Sequence, residues 1–255
     1  MSTHYYYLIS SLITIDFDQY DAVPIEDILS KIEYNLSKKD QQYLVYLRWQ
    51  IDLLNLEMIT RGEEVFLPYG NYSKEILLQK EEKGGIPQLW QEYLHNSQSG
   101  APLHIEYLWY KYYWWGMEKK NSFIRCWAQN ELALRLSLVL TRKERTHMDT
   151  SYLELFQGEL IEEILSGGKM IDFGIGYRFD WAAHLREILK EDNPLYSERS
   201  IDRIRWQFID QQIASSQFTS NVVLGYIVKL LIIAKWQRVN HAKGKVMLRQ
   251  IVGGD

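Results

Sequence analysis

Five prolines, at positions 24, 68, 87, 102 and 194, punctuate a chain of 255 residues. A proline inside a helix removes a hydrogen bond and clashes with the preceding turn, at a cost of about 3 kcal/mol. The long proline-free stretches between these positions therefore suit helices, and each proline falls where a helix would begin or a loop would run. No Asn-Gly or Asp-Gly pair occurs to mark a tight hairpin. Apolar periodicity agrees. Ile25, Ile28, Leu29, Ile32 and Leu36 share one helical face, and Leu44, Leu47, Ile51 and Leu54 recur at three- and four-residue steps. The chain is expected to be all-α, an elongated multi-helix array with more than half of its residues helical.

The helix limits can be read from local chemistry. Ser37 is placed to cap the segment that follows it, and Gly62 to end that segment. Residues 61–71 read as a loop, and Ser73 opens a short charged helix ending at Gly84-Gly85. Pro87 opens another, and Pro102 begins PLHIEYLWYKYYWWGM. Asn121 or Ser122 caps a long helix, and one further helix spans 151–165. Residues 169–180 are the most loop-like, and a helix follows near Trp181–Lys190. Asn193-Pro194 breaks the chain before two final helices. Tyr5–Leu12 has β-type composition, although an isolated strand has no partner to pair with. One helical domain over 1–255 is expected, with candidate subdivisions near 96–101 and 167–180. Trp127, Leu134, Leu138, Leu224, Ile227, Leu231 and Ile232 are expected in the core.

Composition excludes several classes. With 46% hydrophobic and 24% charged residues the chain is not a disordered one. A single cysteine, Cys126, excludes an internal disulfide and a thiolate zinc cluster. Met-Ser-Thr-His has no basic leader, and the most apolar run, Val222–Ala234, has 13 residues and contains Lys229. That is short of the roughly 20 residues of a membrane span. A cytoplasmic protein is expected, with no transmembrane segment.

No catalytic constellation emerges. The histidines at 4, 95, 104, 147, 184 and 241 lack zinc-site spacing. Asp16, Asp18 and Asp21 miss the glycine of a calcium loop, with Asp21 where it belongs. Asp172-Phe173-Gly174 spells a kinase triplet without the rest of the kinase signature, and Gly174-Ile175-Gly176 lacks the third glycine of a dinucleotide site. Gly244-Lys245 has no phosphate-loop context. Glu162-Glu163 is a carboxylate pair that sequence cannot place across a cleft. No catalytic, cofactor or metal role is assigned to any residue.

Two features suit a partner surface. Residues 1–100 carry 8 basic and 15 acidic side chains, whereas residues 201–255 carry 8 basic and 3 acidic ones. Lys235, Arg238, Lys245 and Arg249 fall in one broad helical arc, fit for an acidic partner or for neutralising the acidic body. Seven of the nine residues from Tyr107 to Trp115 are aromatic. Their two stripes require either a helix lodged between neighbours or one face left for a partner, and Trp109 and Trp114 are the candidate contacts. Lys111 is the only charged residue between Tyr107 and Trp115, which disfavours nucleic acid.

Three stretches, in order, carry a resemblance. Tyr5-Tyr6-Tyr7-Leu8-Ile9-Ser10-Ser11-Leu12 with Asp16-Phe17-Asp18 resembles the opening of a bacterial family of unassigned biochemical function, with Ile13 where a proline is frequent. FIRCWAQNELALR, from Phe123 to Arg135, and the segment from Ser197 to Val252 resemble later parts of the same family. Its members are encoded among the subunits of bacterial V-type (A-type) rotary ATPases. The family is distantly similar to the all-helical, funnel-shaped coupling subunit of those enzymes, where a Lys-Glu pair is usual and this chain has Lys229-Leu230. The resemblance implies a helix over Tyr5–Leu12, degenerate three-helix repeats, no catalysis, and partners in the central stalk and rotor ring at the inner face of the cytoplasmic membrane. A general helical adaptor and an enzyme with a site assembled from scattered Asp, Glu, His and Arg are the alternatives.

Overall fold

The computed structural model describes residues 5–78, 90, 91, 93, 105–146 and 150–252, with side chains up to 240. Among these residues 70% are helical and no strand occurs. In chain order the helices are α1 (Tyr6–Ser10), α2 (Ile25–Asn35), α3 (Lys38–Thr60), α4 (Lys74–Leu78), α5 (Ile105–Met117), α6 (Ser122–Thr146), α7 (Glu159–Ser166), α8 (Ala182–Ile188), α9 (Pro194–Ile213) and α10 (Ser220–Val252). The opening tyrosine-rich segment is thus helical, against its β-type composition.

Caps fall where side-chain chemistry puts them. The Ser37 hydroxyl accepts the Asp40 amide at 3.1 Å, and Asn121 Oδ1 accepts the Ile124 amide at 3.0 Å. Asn193 Oδ1 accepts the Leu195 amide at 3.1 Å, leaving Pro194 as the first helical residue, where its missing N–H costs nothing. At the end of α3, Gly62 takes φ +74°. Its amide bonds to the Ile59 carbonyl at 3.0 Å and that of Glu63 to the Met58 carbonyl at 2.9 Å, a Schellman closure.

The helix expected over 151–165 is two elements. Ser151–Leu155 is a 3₁₀ turn, and α7 begins only after Gly158, whose φ of +128° belongs to neither helix. Residues 79–89, 92, 94–104 and 147–149 lie outside the described residues, and with them most of the short helix expected after Pro87 and the loop at 96–101.

The packing divides the chain into two compact units, Met1–Leu44 with Ile201–Asp255, and Val45–Ser200. The first unit joins the two ends of the chain. The Phe17 ring meets Trp206 edge-on at 5.5 Å, Asp18 pairs with Arg203 at 2.9 Å, and the Tyr5 amide bonds to the Phe218 carbonyl. Gln237 closes the loop before α2 by donating to the Tyr20 and Val23 carbonyls at 2.7 and 3.0 Å.

The core of the second unit is aromatic. Tyr112 stacks on Tyr46 at 4.6 Å, Tyr110 on Phe156 at 4.5 Å, and Trp109 on Tyr113 at 5.8 Å. Helix α5 therefore lodges between neighbours, and each buried ring removes about 150–250 Å² from water. Trp127, Leu134, Leu224, Ile227 and Ile232 are buried as expected. Leu138 and Leu231 are only half-buried, because the helices carrying them leave one edge uncovered.

Candidate functional site

Most of the strongly placed polar groups hold helices together. In the first unit, Asp202 on α9 is fully buried. Its Oδ1 accepts Arg205 Nη1 at 2.8 Å, and its Oδ2 accepts Lys235 Nζ at 2.7 Å and Trp236 Nε1 at 2.9 Å. Burial pushes this carboxyl upward, but the charges of Lys235 and Arg205 outweigh it and hold it below its ordinary value. Two turns on, Asp210 pairs with Lys229, whose ammonium lies 4.5 Å from the centre of the Trp206 ring. Residues 202, 206 and 210 recur every fourth position, so they form one stripe of α9 facing α10.

This geometry relocates a predicted site residue. Lys235 is committed to Asp202 and is not an unengaged cation of a docking face. Arg238 is half-buried. The side chains of Lys245 and Arg249, the other two residues of the expected basic arc, lie outside the described residues.

In the second unit Trp109 is 1% exposed, which removes it from any partner contact. Its Nε1 donates to Glu57 Oε2 at 3.3 Å, and the Arg135 guanidinium lies 4.4 Å above its ring. Arg135 grips Glu106 with two bonds of 2.6 and 2.8 Å and stands 3.9 Å from Glu57. Burial lowers the Arg135 pKa, yet the Glu106 carboxylate outweighs it and the net direction is upward. Trp114 is half-buried and donates to Glu118 Oε1 at 3.0 Å.

Sequence reasoning passed over Asp52. It is fully buried, and it accepts the Asn71 amide at 2.9 Å, the Asn71 side-chain amide at 2.8 Å and the Tyr72 amide at 3.2 Å. One turn on, Asn55 exchanges two bonds with the Leu67 backbone at 2.6 and 3.0 Å. The pair ties the loop after α3 back onto its own helix. Burial pushes the Asp52 carboxyl up to about 6, against the pull of its amide donors and of Arg48. The i, i+3 spacing of Asp52 and Asn55 in an otherwise apolar stretch was the available signal.

The kinase-like triplet is a turn. Asp172 Oδ1 accepts the Gly174 amide at 3.0 Å, and the Phe173 ring is fully buried. Asp16, in the acidic loop, accepts the Asp18 amide at 2.7 Å. Among the described residues no group of three His, Cys, Asp or Glu side chains converges to hold a metal ion. Among them also, no helix is long and apolar enough to cross a membrane. His4, His95, His104 and His147 lie outside the described residues.

Among the described residues the chain is helical, in two compact units, each braced by inward-facing ion pairs. A family model described as "Protein of unknown function (DUF2764)" matches residues 1–254, and the chain belongs to that family. No curated protein and no solved structure matches it.

Proposed function

We propose that the chain is a non-catalytic structural or assembly component of a V-type (A-type) rotary ATPase, coupling central stalk to membrane rotor ring. One observation carries the reading. Two of the three stretches that bear the resemblance, the Tyr-rich opening with Asp16-Phe17-Asp18 and the segment from Ser197, pack against each other in one helical unit. Phe17 meets Trp206, Asp18 meets Arg203, and the Tyr226 hydroxyl donates to the Ile13 carbonyl at 2.9 Å. The sequence similarity thus follows a physical body and not scattered pieces. The third stretch supplies Trp127, Ala128, Asn130 and Leu134 to the interior of the other unit, where Asn130 accepts the Trp181 indole at 2.9 Å. The commitment of Asp202 to Lys235, of Asp210 to Lys229 and of Glu106 to Arg135 suits a part whose task is to transmit force or hold position.

The test is affinity purification of the tagged full chain from its native cells, with identification of co-purifying chains. Stalk and ring components in fixed proportion are the expected result. Their absence from a preparation in which the tagged chain is recovered folded would overturn the proposal.

A further inference from the structure

We draw no further inference here: the strongest candidate, the exposed apolar tip of Met170 and Ile171 in the loop between α7 and α8 with the groove beside it, carries nothing, since Lys143 and Glu154 balance in the groove lining and nothing in the structure shows what covers the tip.

Discussion

Asp52 and Asp202 are both buried carboxylates, and their surroundings send them in opposite directions. Asp202 has Lys235 and Arg205 within hydrogen-bond distance and is held below its ordinary value. Asp52 faces backbone and side-chain amides, so burial dominates and lifts it from 3.8 to about 6. The linkage signs follow. The folded Asp52 binds its proton more tightly than the unfolded one. Its contribution to stability is therefore complete below pH 3.8 and is lost as pH rises to about 6. Two pH units correspond to roughly 3 kcal/mol at most. Urea unfolding at several pH values across that window should show Asp52→Asn gaining on the native chain as pH rises, with the gap constant above about pH 6. A constant gap throughout would show that Asp52 titrates normally. Asp202 behaves in the opposite sense, its contribution being lost as pH falls through its depressed value. Lys235→Glu would set a second carboxylate against Asp202 and should cost about 3 kcal/mol or more in chemical denaturation. A loss below about 0.5 kcal/mol would return Lys235 to the class of ordinary surface cations.

Helices α5 and α6 cross at a point where only glycine fits. A Cβ on Gly116 would lie 2.1 Å from Tyr46 Oη and 2.6 Å from the Ala128 Cβ. Tyr46 cannot step aside, since it is buried, stacked on Tyr112 and hydrogen-bonded to the Tyr112 carbonyl at 3.2 Å. Gly116→Ala should therefore destabilise by about 1–3 kcal/mol, although alanine is the better helix former. Leu134→Ala should cost about 2–5 kcal/mol, and Leu231→Ala clearly less, because Leu231 keeps one side in solvent. Equal losses in thermal melts of the two variants would contradict that difference in burial. At this scale much was legible in the sequence. Prolines, caps and three-four periodicity are local, and they located α2, α3, α6, α9 and α10 closely. The break at Gly158 was not legible, because Glu159, Leu160 and Ile161 would equally continue a helix from Leu155. Nor was the fate of Trp109 and Lys235. Composition marks aromatic and cationic side chains as interface material, and only the tertiary positions of Glu57, Arg135 and Asp202 turn them inward.

At the scale of the molecule, the first unit depends on contacts between residues near the beginning of the chain and residues past 200. Such pairs must close a long intervening segment, whose entropy opposes them until many form together. Their cooperation is visible in Phe17 with Trp206, Asp18 with Arg203, Ile13 with Tyr226, and Gln237 with the carbonyls before α2. Removing residues 1–23 would expose Trp206, uncap the bonds of Gln237 and Tyr226, and leave the α9–α10 pair to its own ion pairs. Hydrogen exchange read by mass spectrometry should then show α9 and the Ser220–Trp236 part of α10 losing protection by about tenfold or more, equivalent to about 1.4 kcal/mol. Helix α6, whose buried Trp127, Leu134 and Leu136 belong to the other unit, is the internal reference. Unaltered exchange in α9 and α10 would mean that the two C-terminal helices are stable without the opening segment. The joining of the chain's two ends would then be a consequence of their fold and not a support for it.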